Sequence, residues 1–244
     1  MHDLYELAAY ALALTKYTGN NDWRFFKDVH LEKAHYKCPI CEVKLDNSAQ
    51  RSSKKGKPVT IRATIDHYRP MNLYDFLKYE HKNFILMCLD CNNHYKQHTF
   101  PLYPPESQRA ESKAELSAEN PLIINPIFDD PLEIFGLIFI QHSDGRKTLE
   151  LKPKDGLNAY LLEKANETIK TFDLGDCDMA TIHSVESYRL TTHSINYELF
   201  YELALARNNK KQFTLMLKGN PGLKTYGFFR FIMRKQFEFK GTSF

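Results

Sequence analysis

Four of the five cysteines in this chain fall into two Cys-x-x-Cys pairs, Cys38 with Cys41 and Cys88 with Cys91, far apart in sequence. A Cys-x-x-Cys turn delivers two thiolates from one tight knuckle, and a tetrahedral zinc ion takes four. Two such knuckles, the first of them Cys-Pro-Ile-Cys, therefore predict one structural Zn²⁺ that clamps two segments together and closes everything between them into a loop. That reading supposes a reducing compartment, where thiols persist and disulfides do not. The chain opens Met1-His2-Asp3, with no basic region ahead of an apolar stretch, so no signal peptide is expected and a cytoplasmic location is. The longest apolar runs, such as Phe84 to Cys88 and Leu137 to Ile140, are too short to cross a bilayer, so no membrane partner is expected. Cys177 stands alone and reads as a small buried residue.

Chemistry-bearing residues gather inside the clamp. Thr60 to Ile65 reads as a short strand that Asp66-His67 ends, Phe84 to Cys88 as a second strand that Asn83 opens, and Asn92 to His98 as the start of a helix. Taken singly these residues have ordinary explanations: His67 precedes a turn at Arg69-Pro70, and asparagines cap helices. Together, beside a zinc clamp, they offer what phosphodiester hydrolysis needs. A hard divalent ion such as Mg²⁺ or Mn²⁺ takes oxygen ligands, and Asp66 and the Asn92 side-chain carbonyl supply two. His67 has a reference pKa near working pH and is the candidate general base. His94 and His98 lie close to the site, and His94 is the alternative metal ligand should Asn92 point away, whereas His35, His81, His183 and His193 read as ordinary surface or core residues.

A net charge of +3 excludes a molecule that is polybasic throughout, so any nucleic-acid surface must come from local charge. Arg51, Lys54, Lys55 and Lys57 lie on a polar loop between the two knuckles and, with Arg62 and Arg69, put positive charge beside the candidate site. Lys96, one helical turn after Asn92, reads equally as a phosphate contact or a solvated helix lysine. The tail from Lys224 to Lys240 sets Arg230, Arg234 and Lys235 among aromatics; it could bind nucleic acid or a protein partner, but the pattern better fits a buried terminal helix from about Leu223 to Phe237 with a basic outer face.

The fold class expected is α+β, mainly helical. Leu4, Leu7, Ala8, Ala11 and Leu12 mark an amphipathic helix, and a second follows Asn20-Asn21-Asp22 with Trp23, Phe26 and Val29 inward. Residues 106 to 119 read as a charged helix or a linker. Gly136 to Gln141 and Thr148 to Leu151 form a hairpin about Ser143-Asp144-Gly145, and helical stretches begin at Leu157, Met179 and Leu223. The division expected is N-terminal helices over 1–35, the zinc-clamped core over 36–105, a linker and hairpin over 106–155, and a helical C-terminal lobe over 156–244 that docks a partner.

Cys38-Pro-Ile-Cys41, Ile65-Asp66-His67-Tyr68-Arg69-Pro70 and the nine-residue step from Asn83 to Asn92 resemble the HNH nuclease superfamily. The resemblance implies a ββα-metal core in which Asn83 holds His67 in position through a loop contact. The last family position is Asn92 here rather than histidine, a weaker metal ligand. Flanking motifs, Phe100-Pro101-Leu102, Glu119-Asn120-Pro121-Leu122 through Asn125-Pro126, Asp129-Asp130-Pro131 and Gly156-Leu157-Asn158, are similar to the PtuB family, the HNH subunit of Septu-type antiphage systems. That resemblance implies a toxic effector partnered by PtuA, an ABC/SMC-like ATPase, and in some systems by a retron reverse transcriptase with its msDNA. The chain has no Gly-x-x-x-x-Gly-Lys-Ser/Thr loop of its own, so ATP dependence would reside in the partner. The substrate could be DNA or an RNA such as tRNA, because a metal-activated water needs no 2′-hydroxyl. The competing readings are a stand-alone or mobile-element HNH DNA endonuclease and a non-catalytic zinc-ribbon binding module.

Overall fold

Helix α1 begins later than its leucines suggest and turns a different face inward. In the computed structural model, which describes residues 1, 3–19, 23–45, 50–52, 58–60, 62–104, 109–143, 145, 147–175 and 197–241, Leu4–Glu6 is a 3-10 turn and α1 runs Ala8–Lys16. Its buried residues are Tyr10 and Ala13, whereas Ala8, Ala11 and Leu12 are exposed. The physical reason lies in Tyr10. Its ring packs on Phe26 of α2 (Arg24–Lys33), and its hydroxyl donates to the His81 carbonyl at 3.2 Å, so a large apolar surface is buried without stranding a polar group.

The chain divides into two compact units, Met1–Asp129 and Asp130–Phe244, each with small sheets and helices, a mixed α/β architecture. In the first unit β1 (Gln50–Ser52) and β2 (Pro58–Thr60) pair as a short antiparallel ribbon where an open loop is expected, and Lys54 and Lys55 lie outside the described residues. The strand expected at Thr60 to Ile65 is displaced along the chain. It is β3 (Ala63–His67), which pairs antiparallel with β4 (Phe84–Cys88) in the register Ala63↔Cys88 to His67↔Phe84. Every residue of β4 is buried, the pattern of a strand covered on both faces. Directly after it, Cys91–Lys96 forms a π-helix, a widened turn whose defining bond runs from the Gln97 N–H to the Asn92 carbonyl at 2.8 Å.

His30 of α2 is fully buried, and neither ring nitrogen has a hydrogen-bond partner among the described residues. Burial alone holds its pKa down at about 4. A depressed folded-state pKa means the unfolded chain takes the proton first, so the stability present above pH 6.5 drains away as pH falls toward 4. The loss is about 3 kcal/mol. Denaturant titrations across that window should show the decline, and His30→Met should flatten it; an equally steep decline in the variant would remove His30 as its source.

In the second unit β5 (Phe135–Gln141) and β6 (Lys147–Pro153) form the expected antiparallel hairpin. Asp130 caps the short α3 (Pro131–Ile134) ahead of it. Asn158 caps α4 (Ala159–Phe172) by accepting from the Leu161 N–H at 2.9 Å, and α4 packs on β6. Residues 176–196, which hold Cys177, His183, His193 and the first part of the helical stretch expected from Met179, lie outside the described residues. The remainder is α5 (Tyr197–Leu205), followed by α6 (Lys210–Gly219) and α7 (Gly227–Met233). The terminal helix expected to reach residue 237 stops at Met233, because Lys235 takes a positive φ of 56° and the chain turns into strand β7 (Phe237–Gly241), parallel to β5. Gly241 is required there: a Cβ would meet the Gln141 carbonyl oxygen at 2.0 Å. Among the described residues, no helix is long and apolar enough to cross a membrane.

Candidate metal centre and hydrolytic cleft

The four paired cysteines meet. Cys38 and Cys41 sit on a turn after α2, whose tight path is set by the Cys38 N–H bonding the Val43 carbonyl at 2.9 Å and by Glu42 at φ 58°. Cys88 ends β4 and Cys91 opens the π-helix. All four are fully buried, and their sulfurs lie within 4.8 Å of one another. Cys38 and Cys91 are 3.8 Å apart and Cys41 and Cys88 3.7 Å, far beyond a disulfide bond. A tetrahedron with Zn–S bonds of about 2.3 Å has edges of about 3.8 Å. The donor set fits a zinc ion, and the four cysteines could hold such a metal. Burial pushes the Cys41 and Cys91 thiols up, while at Cys38 hydrogen bonds with the neighbouring sulfurs outweigh burial and hold the thiol down; a bound cation would displace the thiol protons.

Asp66, His67 and Asn92 line one open cleft of about 510 Å³, together with Asn93, Gln97 and His98. The antiparallel pairing sets Asp66 and His67 at the end of β3, and the π-helix swings Asn92 to face them. The His67 ring is nearly buried and is wedged edge-on against Phe84 at 5.2 Å and Trp23 at 5.9 Å. Its Nε2 lies 2.9 Å from the Lys78 carbonyl. A carbonyl only accepts, so Nε2 carries the hydrogen and the neutral ring keeps its lone pair on Nδ1. Burial lowers the His67 pKa, opposed by the Lys78 hydrogen bond and the Asp66 charge, which favours that neutral form. Asn92 donates through Nδ2 to Thr64 Oγ1 at 3.2 Å, which leaves Oδ1 unengaged by that bond.

The Asn83 side chain hydrogen-bonds the Arg69 backbone rather than the His67 ring. Its Oδ1 accepts from the Arg69 N–H at 2.8 Å and its Nδ2 donates to the Arg69 carbonyl at 3.0 Å. This two-point clasp fixes the backbone just after His67. Lys96 is fully buried rather than solvated: its ammonium donates to Asp66 Oδ2 and to the His67 carbonyl, both at 2.8 Å. The charge offered to a phosphate is thus aimed at Asp66, and one carboxylate oxygen is held while Oδ1 stays clear of that contact. His94, the alternative ligand, is 72 % exposed and lies 4.0 Å from Asp90. His98, expected close to the site, lines the cleft; Asn93 and Gln97 carry no motif signal, and their place there follows from the π-turn, which ends with Gln97 at φ 46°.

Arg69, also expected beside nucleic acid, is paired inward. Its Nε donates to Glu119 Oε2 at 2.8 Å, and its guanidinium lies over Tyr68, Tyr74 and Phe100. Glu119 also accepts from the Tyr74 hydroxyl at 2.7 Å and the Ala110 N–H at 2.8 Å. Glu119→Ala would leave the Arg69 charge and three donors unmatched in a buried pocket, and should cost about 3 kcal/mol of stability. Chemical denaturation checks this; a loss below about 0.5 kcal/mol would mean that water replaces the carboxylate.

No protein-family model matches the chain. Among curated proteins it is 30% identical over 126 residues to "Septu protein PtuB" from Bacillus mycoides (strain KBAB4), a match covering 45% of this chain. The chain spans 41% of that relative's length, a distant similarity.

Proposed function

We propose that the chain is a metal-dependent endonuclease of HNH type that hydrolyses nucleic-acid phosphodiesters as an effector of antiphage defence. One observation carries the chemistry: His67, Asp66 and Asn92 line a single cleft, and the His67 Nε2 is engaged by the Lys78 carbonyl. The similarity to a Septu PtuB protein carries the defence role. A PtuA-like ATPase is the partner that follows from it, and a retron reverse transcriptase with its msDNA is a further one.

The fitting residues for a catalytic Mg²⁺ or Mn²⁺ are Asp66 and Asn92, each through a side-chain oxygen, the donor type such ions prefer. Bound there, the ion would supply Lewis acidity to the phosphate and its leaving oxygen. The protein's own residues do the rest. His67 Nδ1 accepts a proton from a water in the cleft as that oxygen bonds to phosphorus, and the phosphorus–oxygen bond to the leaving group breaks. Lys78 keeps the ring from rotating. Lys96 fixes the Asp66 carboxylate by one oxygen, and Asn83 locks the backbone that follows His67. Together these residues constitute the ββα-metal core of the proposal, with zinc at the four cysteines as its brace.

The test is co-expression with a PtuA-like ATPase, comparing wild type with His67→Ala. Growth arrest by the wild type alone, with either DNA or RNA fragmented in the arrested cells, supports the reading and identifies the substrate. Arrest by both forms, with neither pool cut, would instead favour a non-catalytic zinc-ribbon binding module.

A further inference from the structure

The basic residues of this protein are segregated. From Leu203 to Phe237 the chain has eight lysines and arginines and no aspartate or glutamate, which leaves 25 basic residues against 30 acidic ones elsewhere. The segment includes α6, the 3-10 turn Pro221–Thr225 and α7. No described residue of α6 is buried. Lys211, Thr214, Leu215 and Lys218 recur at helical spacing on one exposed stripe, while Phe213, Met216 and Leu217 are half-buried on the other side. Lys210 and Lys211 occupy the first turn with no acidic residue beside them, where the helix dipole disfavours positive charge. Arg207 ties this helix to the end of α7: its guanidinium lies 5.8 Å from the Phe213 ring centroid and contacts the Met233 carbonyl, beyond which Arg234 and Lys235 follow.

Arg230 and Arg234 have carboxylates within 3.5 Å, those of Asp130 and Glu133. Lys210, Lys211, Lys218, Lys224 and Lys235 are exposed and pair with no carboxylate among the described residues. We propose that this face of the C-terminal unit is a sequence-independent binding surface for the phosphate backbone of a nucleic acid. Its chemistry favours that ligand over an acidic protein. Protein interfaces are depleted in lysine and anchored by aromatic and arginine side chains. Here the uncommitted groups are all lysines, and Leu215 is the one large apolar side chain on the outer stripe. Mobile ammonium groups along a helix suit a repeating line of phosphates, where counterion release drives association.

The surface does not rest on the cleavage reading, so its test excludes cleavage. Binding of the full chain, in chelator, to short labelled duplex DNA, single-stranded DNA and an RNA hairpin is followed by fluorescence anisotropy across a salt series. Lys211→Gln/Lys218→Gln/Lys224→Gln should weaken binding at low salt about tenfold or more and reduce the salt slope by about three, roughly one per lysine. Lys211→Arg/Lys218→Arg/Lys224→Arg should retain both, and Lys16→Gln/Lys33→Gln/Lys82→Gln, an equal charge change on the first unit, should leave them unchanged. The three nucleic acids together identify the preferred backbone. The proposal is overturned if the first variant, with an unaltered melting curve, binds as wild type does, if the control variant loses as much, or if wild type binds none of the three. Tighter binding of polyglutamate than of any nucleic acid would overturn it in favour of an acidic protein partner.

Discussion

Cys88→Ser is expected to release a bound zinc ion and to unfold the first unit. Purified wild-type chain should hold one zinc per molecule by elemental analysis, and the variant essentially none. Structural zinc sites contribute about 10–16 kcal/mol of apparent binding free energy in small domains, whereas a whole domain is stable by about 5–15 kcal/mol. Loss of the ion therefore matches or exceeds the margin. The placement sharpens the expectation. The cysteines join the turn after α2 to the end of β4 and the start of the π-helix, and β4 is paired to the strand that carries Asp66 and His67. Without a cation, four buried sulfurs lie 3.7 to 3.8 Å apart in pairs with no apolar residue to fill the space between them. A strong chelator should reproduce the effect on wild type. A metal-free chain that melts where the zinc-loaded chain does would show that the thiols hold the core without an ion.

The second large effect is at His67. Replacing it with alanine should lower the cleavage rate by about 10²- to 10⁴-fold, the usual contribution of a positioned general base. Zinc content should be unchanged. The ring packs between Phe84 and Trp23, so some stability will be lost as well. For that reason His67→Gln is the better partner variant: it keeps polar bulk beside Lys78 but offers no nitrogen that accepts a proton near neutral pH. Both variants should be inactive at equal folded concentration, with nucleic-acid binding retained. If His67→Gln cleaves within about threefold of wild type, proton transfer at this position is not part of the chemistry and the catalytic assignment fails.

The sequence by itself determined which groups were available and where short-range rules apply. Two Cys-x-x-Cys knuckles brought four cysteine sulfurs together because each pair is set by its own turn and the four could share one tetrahedral metal. The β5–β6 hairpin followed from alternation about a turn and α4 from its apolar period, although the helix begins at Ala159 behind an Asn158 cap rather than at Leu157. The pairing of β3 with β4 beside Asp66 and His67 was legible in outline, although the strand lies nearer His67 than its composition suggests.

Tertiary structure decided what depends on distant partners. Lys96 turned inward because the π-turn redirects its side chain toward an otherwise unneutralised carboxylate, which no helical periodicity predicts. Arg69 was committed to Glu119, 50 residues along the chain, because a guanidinium covered by three aromatic rings requires a counter-charge. Phe237–Gly241 left the helical stretch to pair with β5, whose outer N–H and C=O groups needed hydrogen-bond partners. Tyr10 displaced the leucine stripe of α1 for the same kind of reason: a hydroxyl that finds a carbonyl lets a larger ring be buried, and that carbonyl belongs to a residue far along the sequence.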